Sequence, residues 1–358
     1  MLVWWYNIQN LKICIRSGGG DMSQLKEWAF CSKCMKKVSY ELIKKPREQE
    51  FRGKVYQFEF SIGSCSECGE LVSPLGIIDL NNEELVEQYI EAENIISVDD
   101  ISNIMSIYNI GKRPLSVALG FGELTITNYF NGRIPLPEYS NIMWEALTSP
   151  KFMRDCVEKN KDKIAKVAYN NVITEIDKLE DDFKNISDKL LMIISYIFNQ
   201  MDEITPLTMQ KILYYTQGVN FALNAEPMFK DDCKAWVHGP VYGSVYHLFK
   251  DFKYDPIDDC RFAMLKNRYK GLSDAEKSVL DLVISTFGMY NGKTLERVTH
   301  NETPWIEARN RFDPDATSEI VISKAKIQDY FTRLNEKYDF SSETGIRNYI
   351  DFALSKNK

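Results

Sequence analysis

The stretch that decides the fold is residues 206–252, which read PLTMQKILYYTQGVNFALNAEPMFKDDCKAWVHGPVYGSVYHLFKDF. Thr205 can cap a helix whose first position is Pro206, and apolar residues then recur at helical spacing along one face. A short apolar run at residues 235–237 predicts a strand. The Gly239-Pro240 pair predicts a turn, after which the helical spacing resumes. These signals predict a compact unit of helix, short strand, turn and helix, with the proline at the first position of the second helix.

Length and composition limit the class of protein. A chain of 358 residues with 44% hydrophobic residues is long enough for about two or three domains. A formal net charge of −7 argues against a protein that coats nucleic acid through a global positive field, so any DNA contact must be local. No stretch has the apolar length of a membrane span, and residues 1–15 lack the basic start and cleavage site of a signal peptide. We expect a soluble, cytoplasmic protein with no membrane partner.

The N-terminal segment, residues 1–21, ends in Gly18-Gly19-Gly20-Asp21 directly before Met22. Glycine-rich termini are commonly disordered, which favours a flexible N-terminal arm. A purine-rich ribosome-binding site read in frame would also encode Gly-Gly-Asp ahead of a methionine. Both interpretations stay open, and the second makes Met22 the true start.

Two C-x-x-C pairs, Cys31/Cys34 and Cys65/Cys68, hold four of the eight cysteines. Four thiolates in such pairs can close a tetrahedron around Zn²⁺, and Gly69 eases the turn that aims backbone amides at sulfur. Because cysteine fills every position, no site is left for water, and the zinc is expected to be structural. Alternating apolar residues predict strands between the pairs, with a turn at residues 45–47.

A helix-turn-helix pattern follows the zinc module. A helix is predicted over residues 82–90 and another over residues 98–108. The next helix contains Leu115, Gly120 makes the tight turn, and a further helix ends at Asn131-Gly132.

The run from Asn128 to Pro135 resembles Xre-type DNA-binding domains, and a zinc module followed by this pattern resembles the MqsA family of antitoxin-repressors. The resemblance covers residues 28–137 and implies operator DNA, autoregulation of the operon and a homodimer. This sequence departs from the family where an Asn and an Arg read bases, since those positions fall on Leu124 and Asn128. The candidate DNA-binding residues are Lys112, Arg113 and Arg133 for phosphates, and Glu123, Thr125, Thr127 and Asn128 for bases. A helical bundle used only as a dimer interface or spacer is the alternative.

Residues 141–186 are predicted to form a helical linker. No glycine or proline occurs between Pro150 and Pro206, and apolar residues from Val172 to Ile186 repeat at alternating spacings of four and three. This pattern predicts one long helix. It either joins two domains and packs on its own domain, or pairs two protomers.

The C-terminal half carries a second resemblance. Residues 211–218 (KILYYTQG) followed by residues 235–242 (AWVHGPVY) resemble the Panacea domain of SocA/GepA-like antitoxins over roughly residues 187–331. The resemblance implies a non-catalytic protein that holds a bacterial toxin inactive by direct binding. Aromatic residues near a rigid Gly-Pro turn supply contact area at little entropic cost. The candidate toxin-binding residues are Tyr214, Tyr215, Trp236, His238 and Tyr242, with Tyr242 and His238 expected to be exposed and Trp236 expected to be buried.

Enzymatic activity is not expected. The three histidines, at 238, 247 and 300, have no metal-ligand or general-base spacing, and Cys156, Cys233 and Cys260 have no histidine nearby in sequence. The alternative to an antitoxin is a transcription regulator whose C-terminal domain senses a ligand or a protein and has no toxin partner.

The predicted fold class is mainly α, multi-domain, with a small β module that resembles a zinc ribbon. The predicted domains are an N-terminal arm (1–21), a zinc module (22–80), a helix-turn-helix domain (81–140), a helical linker (141–186), a Panacea-like domain (187–340) and a C-terminal tail (341–358).

Overall fold

The computed structural model describes residues 25–265, 268–313 and 315–355. The predicted N-terminal arm, residues 1–21, lies outside the described residues. The chain forms two compact units, the first comprising Met1–Ser102 and Gly111–Ala146, the second comprising Asn103–Ile110 and Leu147–Lys358. Within the described residues, no helix is both long and apolar enough to cross a membrane.

The first unit begins with short antiparallel strands. They are β1 (Ala29–Cys31), β2 (Lys36–Val38), β3 (Tyr40–Phe51), β4 (Lys54–Cys65) and β5 (Leu71–Val72). β1 pairs with β2, and β4 lies between β3 and β5. The β3–β4 hairpin turns at Arg52 and Gly53, which both have positive φ. The turn predicted at residues 45–47 is therefore wrong: Pro46 lies within β3, an edge strand, where a missing N–H is tolerated.

The helix α1 (Ile77–Ala92) packs on β4. Phe58 of the strand and Tyr89 of the helix belong to one buried apolar cluster. Two amide side chains of α1 also bind the strand's backbone. Asn81 accepts from the Ser61 N–H (2.7 Å) and donates to its carbonyl (2.9 Å), and Gln88 does the same with Glu59 (2.7 and 2.8 Å). These amides occupy the strand's hydrogen-bonding groups as a neighbouring strand would.

Four further helices follow, α2 (Val98–Ile107), α3 (Lys112–Ala118), α4 (Thr125–Phe130) and α5 (Pro137–Thr148). The predicted turn at Gly120 is confirmed by its positive φ of 77°. The Ser116 hydroxyl of α3 accepts from the Ile126 N–H of α4 (3.1 Å), which fixes the two helices against each other. The helix that was predicted to end at Asn131-Gly132 does so, with Asn131 as its cap.

The second unit opens with three separate helices where one long helix was predicted. They are α6 (Pro150–Lys159), α7 (Lys166–Phe183) and α8 (Asp188–Gln200). A 3₁₀ turn at Lys161–Lys163 and the extended Ile164 separate α6 from α7. Ser187 begins α8 by accepting from the Leu190 N–H (3.2 Å). Polar and capping residues can thus end helices without glycine or proline. α7 contacts α10 (Gly243–Phe249), so it packs within this unit.

The centre of the second unit is α9 (Pro206–Asn224), buried along almost its whole length. The predicted cap is confirmed: Thr205 accepts from the Thr208 N–H (3.3 Å), with Pro206 at the first position. α9 contacts α10, α11 (Asp274–Phe287), α12 (Gly292–Thr299) and α14 (Lys324–Tyr338). A Cβ at Gly218 would lie 2.5 Å from the Phe331 ring, so only glycine permits this approach.

A small hairpin, β6 (Lys234–Trp236) and β7 (Gly239–Val241), lies beside α9. Its turn is at Val237 and His238, because Trp236 pairs with Gly239 and Ala235 pairs with Pro240. The prediction of a Gly239-Pro240 turn with the proline opening a helix is therefore wrong. Beyond the other edge of β6, Ala235 donates to the Ile320 carbonyl (2.9 Å).

The remaining helices close the core. Ser273 and Glu276 form a capping box at the start of α11. α13 spans Thr303–Arg309, and α15 spans Glu343–Ser355. Residues 341–358 were expected to be a tail, but α15 buries Ile346, Tyr349 and Ile350 in the core of the second unit, which gives this segment a packed apolar face. The predicted fold class, mainly helical with a small β region that carries four cysteines, is confirmed.

Candidate functional site

The two C-x-x-C pairs meet in the β region of the first unit. Cys31 ends β1 and Cys65 ends β4, and each pair's second cysteine follows in a tight turn. The Sγ atoms of Cys31 and Cys68 are 3.6 Å apart, those of Cys34 and Cys65 are 4.0 Å apart, and all four lie within 4.8 Å of one another. A small apolar cluster that includes Ala29, Val38 and Val72 surrounds them.

The donor set fits a tetrahedral metal ion. Metal–sulfur bonds of about 2.3 Å in a tetrahedron place sulfurs roughly 3.8 Å apart, close to the distances found here. Hydrogen bonding to Cys68, together with desolvation, raises the pKa of Cys34 to about 12. Desolvation also opposes ionisation of Cys65, but the backbone amides of Glu67 and Cys68 lower its pKa to about 7. The four cysteines could therefore hold a metal ion, whose positive charge would favour their thiolates.

The candidate phosphate contacts lie at α3 and just after α4. The Lys112 ammonium makes a cation–π contact with the Phe130 ring, with Nζ 3.7 Å from the ring centroid. Arg113 is exposed and forms a 2.8 Å ion pair with the exposed Glu123. Arg133 is exposed in the turn after α4. Glu123 therefore partly neutralises the charge of Arg113.

The candidate base contacts lie on the short helix α4. Thr125, Thr127 and Asn128 are all half-buried. Leu124, directly before the helix, is 66% exposed. This places an apolar side chain, rather than a hydrogen-bonding one, at the exposed start of the helix.

Three of the five candidate toxin contacts are in the core of the second unit. Tyr214 and Tyr215 are fully buried on α9, and Tyr242 is 1% exposed. The Tyr215 ring stacks on Phe287 at 3.8 Å. The expectation that Tyr242 is exposed is wrong, because its ring packs against Phe229 behind the hairpin. Burial raises the pKa of each of these tyrosines well above its usual value.

The other two candidates, Trp236 and His238, lie on the hairpin. The His238 side chain is 65% exposed at the turn, and its Nδ1 lies 3.0 Å from a Glu296 carboxylate oxygen. Trp236 was expected to be buried but is half-buried, and its ring contacts the exposed Tyr246 edge-to-face (4.8 Å). The structure thus adds Tyr246 to the hairpin surface.

Polar side chains hold the backbone of the hairpin on its inner side. The fully buried Lys211 donates to the carbonyls of His238 and Pro240, the latter at 3.3 Å. Burial lowers the pKa of this amine to about 8. Three other side chains bind the same segment: Gln210 accepts from the Tyr242 N–H (2.7 Å), Trp305 donates to the Trp236 carbonyl (2.9 Å), and Arg309 donates to the Ala235 carbonyl (3.0 Å).

Gly239 permits this arrangement. Its φ of +93° lies in the left-handed region. A Cβ there would lie 2.5 Å from the Lys211 Nζ and 2.7 Å from the Thr299 hydroxyl oxygen. The glycine is therefore required for the close approach of the amine to the backbone.

A buried carboxylate, Glu302, ties the C-terminal helix to the core. It is 1% exposed and accepts hydrogen bonds from the hydroxyls of Tyr215 (3.1 Å) and Tyr349. Burial raises its pKa to about 7. The sequence offered two signals for this inner layer, a lysine inside the apolar face of α9 and a glutamate directly before a Thr-Pro-Trp helix start, but neither reveals its partner.

Replacing Glu302 with Gln should change the pH dependence of stability. The folded pKa of about 7 exceeds the ordinary value of 4.5, so the contribution of this group is fully present below pH 4.5 and is lost as pH rises through about 7. In the natural chain this group should lower the unfolding free energy by about 2–3 kcal/mol between roughly pH 5 and pH 7.5. Glu302→Gln should abolish this decrease. Urea unfolding of both chains across this range checks it, and parallel curves would show that Glu302 is ionised in the folded protein.

Comparison with known proteins gave a match within the second unit. Neither the search of curated proteins nor the search of solved structures gave a match. A protein-family model does match the part of the second unit that runs from Met209 to Ile306. It covers the central helix, the hairpin and the helices that carry Glu296 and Trp305. This region matches the family described as antitoxin SocA-like, Panacea domain.

Proposed function

We propose that this protein is the antitoxin of a bacterial type II toxin-antitoxin system, which neutralises its toxin by direct binding and without catalysis. The observation that carries the proposal is the match of residues 209–306 to the SocA-like Panacea domain. An antitoxin-like domain implies a toxin partner in general. A toxin encoded next to this protein is the partner that we propose.

The geometry of the hairpin supports a binding role. Lys211, Gln210 and Arg309 direct their polar atoms at backbone groups, so they hold a surface in place and do not face a substrate. A turn fixed in this way loses little conformational entropy when it binds a partner. His238 at the turn, Trp236 on β6 and Tyr246 on the adjoining α10 share this surface, and we propose that they contact the toxin.

Substitutions on the hairpin should separate binding from folding. His238→Ala and Tyr246→Ala should each abolish protection of cells that express the product of the adjoining reading frame, with little change in melting temperature. Tyr254→Ala is the matched control, since Tyr254 is 84% exposed elsewhere and should be dispensable. Tyr242→Ala should instead lose protection through unfolding, at about 3–5 kcal/mol. Growth assays with thermal melts check these outcomes.

A fragment tests which unit binds the toxin. Residues 147–358 include α6 and α7, which belong to the second unit, and should protect cells as the full chain does. If the folded fragment gives no protection while the full chain does, residues outside the fragment, in the first unit or in Asn103–Ile110, take part in toxin binding. If the full chain gives none, the ligand-sensing regulator described above is the better interpretation.

We propose that the four-cysteine cluster holds one structural Zn²⁺, which would contribute folding energy to its small β module. All four ligands are cysteines, so no position is left for a reacting water. Freshly purified protein should contain one equivalent of zinc, and Cys65→Ser should release it, whereas Cys156→Ser, outside the cluster, should retain it. Metal analysis of the three proteins decides this, and a different metal or none would contradict it.

We also propose that a homodimer of the protein binds operator DNA through α3 and α4 and so represses its own operon. The observation that favours this role is the fixed pair of short helices with exposed Arg113 and Arg133 beside them. The ion pair between Arg113 and Glu123 weakens the positive field that phosphate requires.

The role of that ion pair can be tested by titrating the upstream DNA. Arg133→Ala should weaken binding to all duplexes. The slope of log affinity against log salt concentration should fall by about 1, because one phosphate contact is lost. Glu123→Gln should strengthen binding, because it frees Arg113 and removes a repulsive carboxylate. A natural chain that shows no preference for its upstream DNA over random duplex would defeat the repressor role.

A further inference from the structure

A basic surface lies beside the hairpin turn, on α12. Lys293 and Arg297 are one helical turn apart and both exposed. The acidic residue between them, Glu296, is buried, and its two carboxylate oxygens bind Lys293 (2.9 Å) and His238 (3.0 Å). Glu296 thereby fixes a lysine and a histidine side by side at the surface.

The surrounding sequence carries almost no negative charge. Residues 233–249 contain no Asp or Glu, and Glu296 is the sole acidic residue of residues 287–301. Within the described residues, the guanidinium of Arg297 forms no ion pair. Glu319 is a second acidic side chain at the hairpin, where it pairs with Lys234 and also interacts with Trp236. At this turn Lys293 and Arg297 outnumber the carboxylate of Glu296, in a protein whose net charge is −7.

We propose that this surface, formed by His238, Lys293 and Arg297, receives a carboxylate-bearing segment of the toxin. The inference rests on the proposed antitoxin function and adds the chemistry of the partner to it. Buried Lys211 lies directly behind the turn, where its amine is hydrogen-bonded to carbonyl oxygens and interacts electrostatically with Glu296 and Glu302. Cationic side chains on this surface favour a partner with matching carboxylates and disfavour a basic partner.

The contact also explains why the turn is held so rigidly. The carbonyls of His238 and Pro240 are fixed by Lys211, and the His238 ring is fixed by Glu296. The ring and the Lys293 amine therefore keep their spacing before the partner arrives. Interactions made by such pre-positioned groups keep more of their energy on binding than interactions made by free side chains.

Charge reversal tests the proposal with a closely matched control. Lys293→Glu with Arg297→Glu is compared with Lys178→Glu and Arg333→Glu, which causes the same change in net charge. Lys178 and Lys293 are both 61% exposed and both pair with a glutamate three residues away, and Arg333 is 62% exposed on α14. The probe is the purified product of the adjoining reading frame, and its dissociation constant for each full-length chain is measured at low and at high salt.

Lys293→Glu with Arg297→Glu (the local pair) should raise the dissociation constant about 100-fold at low salt. Lys178→Glu with Arg333→Glu (the control pair) should raise it less than about 3-fold. The difference should shrink at high salt, because exposed charges are screened. The neutral pair Lys293→Gln with Arg297→Gln, which cannot repel Glu296, should give about a 10-fold loss and keep the natural melting temperature.

If the variants with the local pair and the control pair bind the probe equally well, the inference is overturned, while the antitoxin function stays in place. The inference is also overturned if the variant with the local pair keeps its affinity for the toxin but no longer binds a random DNA or RNA duplex. A natural chain that neither binds the probe nor protects cells refutes the proposed function itself, and the acidic partner with it.

Discussion

The contact between the Lys211 amine and the carbonyls of His238 and Pro240 is the interaction on which the second unit depends. A buried ammonium is costly unless its donors are satisfied, and here backbone oxygens satisfy them. The hairpin must therefore come close to α9, which requires a left-handed Gly239 without a Cβ. Trp305, on α13, also binds the hairpin by donating to the Trp236 carbonyl. Lys211 of the first motif thus binds the backbone of the second motif, whose His238 side chain stays exposed at the turn.

Features set by neighbouring residues could be predicted from the sequence, and features set by distant ones could not. The caps at Thr205 and Ser273 involve residues three positions apart, and the structure has both. The hairpin turn was misplaced because Pro240 can open a helix or lie in a strand, and the partner strand decides between them. Likewise, the apolar repeat through Val172 is helical, but periodicity alone does not show that Ser187 begins a new helix.

The same distinction separates the two candidate sites. Cysteine spacing alone predicted the four-cysteine cluster, because each C-x-x-C pair can supply two ligands from one turn. Tyr214 and Tyr215 of α9 were named as candidate toxin contacts, although periodicity cannot tell which face of a wholly buried helix meets a partner. Glu302 could not be found, since its hydroxyl partners, Tyr215 and Tyr349, lie far away on α9 and α15.

The amide side chains of Asn81 and Gln88 have a consequence for assembly. An open strand edge is a template on which another chain can polymerise, and proteins block such edges to avoid aggregation. On β4, these amides already occupy the donors and acceptors of Glu59 and Ser61. The opposite edge strand, β3, carries Pro46, which has no N–H to offer. Side-chain amides on one edge and a proline on the other thus discourage fibre growth from this long hairpin without adding a strand.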